Sequence, residues 1–149
     1  MVPSYSRSLA ALCGATLLAA TAACDSGNTP TTPTPPTPAP TVTETFSGTV
    51  GQNGAVTFNF TTAAAGQVVA RLTAVTPDAT IAMGLSLGEW NGFSCEIKIA
   101  KDDALVGAAI AGNVSGAGIL CARFYDVGKI PDPNPDPVRL TFEIVLVHP

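Results

Sequence analysis

The chain has 149 residues, of which 46% are hydrophobic and only 12% are charged, with eleven acidic side chains against seven Lys and Arg. The formal net charge of −4 repels the phosphates of nucleic acids, and the basic residues are scattered rather than clustered. One histidine and few charged groups leave little material for acid–base catalysis or for a zinc site. The composition therefore argues against a nucleic-acid partner and does not favour an enzyme.

The first 23 residues are typical of a segment that directs export. Arg7 is followed by an uncharged run over 9–23, which matches the apolar core of a signal peptide and is too short to span a bilayer as a helix. The small residues Ala22 and Ala23 precede Cys24. This layout resembles a bacterial lipoprotein precursor, and the resemblance implies cleavage before Cys24 and a diacylglycerol on its thiol.

The N-terminal pattern leaves one alternative open. Thr21 stands where Leu is commonest in lipoprotein precursors, so ordinary secretory cleavage after Ala23 would leave Cys24 as a free thiol. Cys13 is a poorer acylation site, because Leu12 before it is bulky. In the lipidated form we expect a protein held to a bacterial membrane by its anchor, facing the periplasm or the cell surface.

A proline-rich tract follows the predicted anchor. Residues 29–40 comprise six prolines, five threonines and one alanine, a composition that cannot build a core and favours an extended spacer. We therefore predict three parts: a signal peptide over 1–23, a lipidated Cys24 with a Thr/Pro-rich linker over 24–40, and one globular domain over 41–149. Without Arg7 the exported chain keeps six basic and eleven acidic side chains, a net charge of −5.

Two cysteines remain in the globular part, Cys95 and Cys121. An even number in an exported chain predicts one disulfide. Closing a loop of this length stabilises the fold by about 3.5 kcal/mol in the chain-entropy model.

The hydrophobic pattern of the domain has a period of two. Apolar residues alternate with small polar ones over 46–50 and again over 56–60, on either side of a turn at 51–54, and we predict a hairpin. Six further strands are predicted at 68–75, 81–87, 94–100, 105–111, 118–127 and 139–147. About eight short strands with Gly and Pro turns predict an all-β domain, a two-sheet antiparallel β-sandwich. A membrane helix over the uncharged segment 104–122 is the alternative, disfavoured by its glycines.

Three stretches, 44–50, 118–126 and 140–147, resemble the bacterial pre-peptidase C-terminal domain, a small jelly-roll-like sandwich of exported proteins. The resemblance implies a non-catalytic binding or accessory module, in some members collagen-binding and in some stabilised by calcium. Leu120 stands where that family often has Tyr.

The loop after the fourth strand holds the best candidate for ligand contact. Trp90, the only tryptophan, lies between Glu89 and Asn91, and an aromatic ring beside polar groups suits a polysaccharide or a protein ligand. Tyr125 is a further candidate. The alternative is that Trp90 covers the end of the sandwich near Cys95.

Calcium is the one metal that the sequence suggests, although we expect no cofactor. Asp126, Asp132 and Asp136 supply oxygen ligands near the last strand. The prolines that alternate with Asp132 and Asp136 favour a stiff loop that protects a sheet edge instead.

Taken from the residues, the expected function is that of a membrane-anchored, exported binding or accessory module of the cell envelope. A purely structural envelope lipoprotein and a hydrolase with an unrecognised site are the alternatives. A hydrolase is disfavoured because His148 lies next to the C-terminus, where we expect a frayed chain.

Overall fold

The computed structural model describes residues 39–131 and 138–149. The predicted signal peptide, Cys24, most of the linker, Asp132 and Asp136 lie outside these residues. The described chain forms eight β-strands. They are β1 (Val42–Gly51), β2 (Ala55–Thr62), β3 (Gly66–Thr76), β4 (Met83–Trp90), β5 (Cys95–Ala104), β6 (Ala109–Val114), β7 (Gly118–Tyr125) and β8 (Arg139–His148).

The strands form two antiparallel four-stranded sheets, ordered β1-β8-β3-β6 and β2-β7-β4-β5. This order is that of a jelly roll, in which the chain passes repeatedly from one sheet to the other. Only β4 and β5 are consecutive in the chain and also neighbours in a sheet. The predicted all-β, two-sheet sandwich is confirmed.

The predicted hairpin between the first two strands is wrong. β1 pairs with β8 along its whole length, and β2 pairs with β7. The turn at 51–54 carries the chain across the sandwich, because both strands bury one apolar face and the two faces meet. The rings of Phe46 and Phe58 stack across the sheets with their centroids 4.9 Å apart.

The predicted strand over 105–111 is also displaced. β5 continues to Ala104, a turn follows at 105–108, and β6 runs through the glycine at 112 that we expected in a turn. Gly107 takes a φ of +93°, which favours glycine, and its N–H donates to the Leu72 carbonyl at 2.8 Å. The membrane-helix alternative for 104–122 is wrong, since this segment forms the end of β5, all of β6 and the first five residues of β7. The described residues hold no helix with the length and apolarity to cross a membrane.

The core lies between the sheets and draws on alternate residues of the central strands. β8 shows the period-two pattern most clearly, and its alternate apolar residues are all buried: Leu140, Phe142, Ile144 and Leu146. The rings of Phe124 and Phe142 stack 4.0 Å apart at the centre.

The C-terminus is ordered, contrary to expectation. His148 is only 2% exposed, and its ring lies against that of Phe60. It closes the ladder opposite Val42, while the Pro149 carbonyl accepts a hydrogen bond from Ala63 at 3.1 Å. Pairing with β1 therefore prevents the fraying expected of a chain end.

The sandwich has two ends, which we name by the path of the chain. The proximal end is where the chain enters β1 at Val42, and it also holds the β4–β5 turn, the β6–β7 turn and His148. The distal end holds the turns at 51–54 and 105–108 and the C-terminus of β7 at Tyr125.

Candidate ligand-binding site

The β4–β5 turn at the proximal end is held by the side chain of Asn91. Its Oδ1 accepts hydrogen bonds from the N–H groups of Phe93 at 3.0 Å and Ser94 at 2.9 Å, and its Nδ2 donates to Glu96 Oε1 at 3.0 Å. Gly92 takes a φ of +98°, which side chains disfavour. Asn91, predicted to contact ligand, therefore uses both polar atoms to fix the turn.

The predicted disulfide between Cys95 and Cys121 is confirmed and lies beside this turn. The two cysteines belong to β5 and β7, which flank β4 and would stand about 9.5 Å apart in a flat sheet. Their Cα atoms are only 5.8 Å apart. The sheet curls because its register shifts at Gly88, where the backbone of β5 folds over a residue without a side chain.

Glu89 takes part in an exposed ion pair. Lys98 Nζ lies 3.2 Å from Glu89 and 3.7 Å from Glu96, and both carboxylates are more than half exposed. The hydrogen bond and the charge of Glu89 raise the pKa of Lys98. The exposed carboxylate of Glu89 lies at the entrance of an apolar slot.

An apolar slot of about 200 Å³ opens between the edge strands β5 and β6, which belong to opposite sheets. Glu89, Lys98 and Asn113 are the polar side chains at its walls. The apolar lining consists of Phe60, Val68, Leu87, Ile99, Val114 and Leu120. Gly112 leaves room in the slot, since a Cβ there would approach Ile99 Cδ1 to 3.3 Å.

A wider and more polar trough of about 440 Å³ continues from the slot to the proximal end. Glu89, Asn113, Val114 and Leu120 line both spaces, so the two form one groove. Trp90 and the backbone of the β6–β7 turn form the outer wall of the trough. The arrangement can receive an apolar group in the slot and a polar chain in the trough.

The position of Trp90 agrees in part with both hypotheses made from the sequence, that it contacts a ligand and that it covers the end of the sandwich. It lies opposite Cys95 in the β4–β5 register and is partly buried, as the covering hypothesis expected. It also lines the trough together with Glu89, as the ligand hypothesis expected.

Tyr125 lies at the distal end, away from Trp90. β4 pairs with β7 so that Gly84 faces Tyr125 and Glu89 faces Leu120, which places the two aromatic residues at opposite ends of β4. The Tyr125 hydroxyl donates to the Asp102 carboxylate, and the Arg123 guanidinium lies 5.4 Å from the centre of the ring. Burial, and then the bond to Asp102, raise the pKa of Tyr125 to about 12.

Asp126 holds the distal turns rather than offering open ligand positions. Its Oδ2 accepts from the N–H of Asn53 at 2.9 Å, and its Oδ1 accepts from Lys129 at 2.8 Å and Ile130 at 3.1 Å. Partial burial acts to raise the pKa of Asp126, but these backbone hydrogen bonds outweigh it and hold the pKa below its ordinary value. Both carboxylate oxygens of Asp126 accept backbone hydrogen bonds.

The other calcium candidates, Asp132 and Asp136, lie outside the described residues. Among residues 39–131 and 138–149, no three His, Cys, Asp or Glu side chains converge in a way that would hold a metal ion. His148 Nε2 comes within 3.4 Å of Glu44 Oε1, and His148 Nδ1 lies 3.1 Å from the Pro149 carbonyl oxygen. No third His, Cys, Asp or Glu of the described residues joins this pair.

Sequence reasoning missed the slot and the exposure of Phe93. The slot joins residues from six strands, and its position depends on which sheet each strand enters, which period-two patterns do not reveal. The exposure of Phe93 does not follow from the sequence either, because Asn91-Gly92 is typical of a two-residue turn that would place Phe93 on a strand. In the structure the turn comprises residues 91–94, with Phe93 at its tip.

No protein-family model matches the chain, and no curated protein matches it at a significant level. The resemblances to a lipoprotein precursor and to the pre-peptidase C-terminal domain therefore stay predictions made from the residues named above.

Proposed function

We propose that the protein is an exported lipoprotein, anchored to a bacterial membrane through Cys24, whose β-sandwich is a non-catalytic binding module of the cell envelope. The groove at the proximal end is the observation that carries the binding role. It combines an apolar slot, a rim of Glu89, Lys98 and Asn113, and a trough walled by Trp90. Concave sites with apolar walls and a few polar groups are the usual form of binding sites.

A protein segment suits this groove better than a polysaccharide. The walls of the slot are almost entirely apolar and would leave sugar hydroxyls without partners, whereas an aliphatic or aromatic side chain fills such a space favourably. The trough offers Asn113 and the backbone of the β6–β7 turn to the polar main chain of such a segment. The slot lies between the edge strands β5 and β6, and such a position also suits an extended peptide.

The binding role can be tested with Trp90 as an internal reporter, since it is the only tryptophan. The purified protein is titrated with a library of extended peptides that each carry one large apolar side chain, and separately with soluble envelope polysaccharide. We expect peptides to change the Trp90 emission and the polysaccharide to leave it unchanged.

Gly112→Val supplies the variant that locates the binding site. Its side chain fills the slot beside Ile99, and we expect roughly tenfold weaker peptide binding. Gly116→Ala is the matched control, because a Cβ at Gly116 meets nothing within 4 Å. Absence of any response, or equal binding by Gly112→Val, would overturn the role of the groove.

The proposed lipidation of Cys24 is tested by mass spectrometry of the protein purified from its native membrane. An N-terminus at an acylated Cys24 supports the lipoprotein proposal. An unmodified chain that keeps Met1 contradicts it.

A further inference from the structure

The tip of the β4–β5 turn presents an aromatic ring to solvent. Phe93 is 94% exposed, whereas the other exposed large apolar side chains of the described residues reach at most 53%. The turn beneath it is fixed by the Asn91 side chain and by the adjacent disulfide. A ring held this far from the core contributes no packing to the fold.

Further apolar side chains surround the base of this turn. β7 turns Leu120 and Ala122 towards the core, so Ile119, which precedes Leu120, points to the outer face, where it is 53% exposed. Ile97 is 43% exposed on the neighbouring strand. Together with Phe93 and the partly buried Trp90, these residues form an apolar cap at the proximal end.

The chain enters the sandwich at the same end as this cap. Val42 begins β1 opposite His148, so β1 starts at the proximal end. In the lipidated protein the linker from Cys24 would therefore join the domain at the end that carries Phe93.

The charges of the proximal end set the kind of lipid surface that it fits. Lys98 is the only basic side chain that the described residues place there, and it is paired with Glu89 and Glu96. Glu44 adds a further carboxylate. Because carboxylates outnumber basic groups at this end, anionic headgroups would not attract it. A contact between this end and a lipid surface would therefore depend on apolar side chains that insert into a neutral interface.

We infer that Phe93 and its apolar cap dock the domain onto the lipid surface that holds its anchor, with the ring inserted among the headgroups. This inference rests on the proposed lipidation of Cys24. Aromatic side chains favour the interface between headgroups and acyl chains, and a rigid turn loses little conformational freedom on insertion.

The test uses the acylated protein in phosphatidylcholine vesicles whose acyl chains carry bromine, a quencher of Trp90 emission. We expect strong quenching that added phosphatidylglycerol does not increase. Phe93→Ser should weaken the docked state roughly tenfold and so restore most of the emission, while the protein still floats with the vesicles through its anchor. Leu105→Ser is the matched control, since Leu105 is 47% exposed in a distal turn.

The outcomes separate docking from anchoring. Flotation without quenching of the wild-type protein overturns docking and leaves the anchor standing. If the protein purified from its native membrane carries no acyl group and does not float with the vesicles, the anchor is overturned. The Cys24→Ser protein mixed with the same vesicles then decides docking by its own quenching. If Phe93→Ser leaves quenching unchanged but abolishes co-purification of an envelope protein, the cap is a protein contact and the inference is wrong.

Discussion

The two ends of the sandwich differ in which side chains they leave exposed to solvent. At the distal end, the Asp126 carboxylate satisfies three backbone N–H groups, and the Tyr125 hydroxyl is bonded to Asp102. At the proximal end, Phe93, Ile97 and Ile119 are exposed, and a groove opens beside Trp90. The distal end therefore satisfies its polar groups internally, and its most exposed large apolar side chain, Leu105, is 47% exposed, whereas Phe93 at the proximal end is 94% exposed. Exposed apolar side chains clustered around such a ring favour a contact region at the proximal end.

Removal of the disulfide, which lies at the proximal end, should have the largest effect on the stability of the fold. Replacing Cys95 and Cys121 with Ala frees a loop closed over a sequence separation of 26 residues, so we expect a loss of about 3.5 kcal/mol in the free energy of unfolding. Urea denaturation followed by circular dichroism measures it. A loss below about 1 kcal/mol would mean that the curled sheet holds the proximal end without the disulfide.

The curvature of the sheet that contains β4 and β5 depends on Gly88. A Cβ added at Gly88 would overlap the Glu96 carbonyl, and backbone cannot move aside as a flexible side chain does, so Gly88→Ala should cost about 3 kcal/mol. Gly116→Ala should change stability by less than about 0.5 kcal/mol, since its Cβ meets no atom within 4 Å. Equal stability of the two variants would contradict the close approach of β5 to β4.

The distal end should be sensitive to acid through Asp126. Asp126→Asn weakens three hydrogen bonds to a charged acceptor, and we expect a loss of about 1.5 kcal/mol at neutral pH, a figure reduced for partial exposure to solvent. Because the folded pKa is lowered, this contribution is present above the ordinary pKa and disappears as the pH falls below about 4.

Unfolding curves at a series of pH values check this expectation. The variant should converge on the wild-type protein in acid and stay below it at neutral pH. A constant difference between the two at every pH would show that the carboxylate charge plays no part.

A smaller effect should appear in alkali at Tyr125. The chain has two tyrosines, Tyr5 and Tyr125, so a protein that begins at residue 24 contains Tyr125 alone, and its absorbance near 295 nm reports this ring. The midpoint should lie near 12, because burial and Asp102 favour the protonated ring. Stability from this group is present below the ordinary pKa of about 10 and is lost as the pH rises towards 12.

Asp102→Asn tests the cause of this shift. We expect the titration midpoint of Tyr125 to fall, yet to stay above the ordinary value, because burial remains. An unchanged midpoint would show that the hydrogen bond to Asp102 does not persist in solution.

The smallest effect on stability should come from Phe93, despite its size. A side chain that is 94% exposed contributes nothing to the core, so Phe93→Ser should change the free energy of unfolding by less than about 0.5 kcal/mol. Thermal melting against the wild-type protein measures this. A marked loss would place Phe93 in the fold and remove it as a contact residue.

Strand positions were largely readable from the sequence, whereas strand partners were not. The alternation of Leu140, Phe142, Ile144 and Leu146 fixes which face of β8 is buried. The turn at 51–54 looks like that of a hairpin, but its strands enter opposite sheets, and only long-range pairing with β7 and β8 decides this.

The same limit explains the candidate site. Trp90 and Glu89 were found because they are neighbours in the sequence, and they line one trough. Tyr125 was grouped with them although the β4–β7 register places it at the other end. Asn91 is predicted from the sequence to contact ligand, and its hydrogen bonds to Ser94 and Glu96 cannot be foreseen there, because they depend on the closed turn.

Amide hydrogen exchange is the measurement that tests most directly whether contacts are confined to the proximal end. The acylated protein in its native membrane is compared with the unlipidated Cys24→Ser protein in solution. We expect added protection over 90–95 and 113–120 in the membrane, with no change at the distal turns over 52–54 and 105–108. Equal protection at both ends, or protection at the distal turns alone, would contradict an interaction surface at the proximal end.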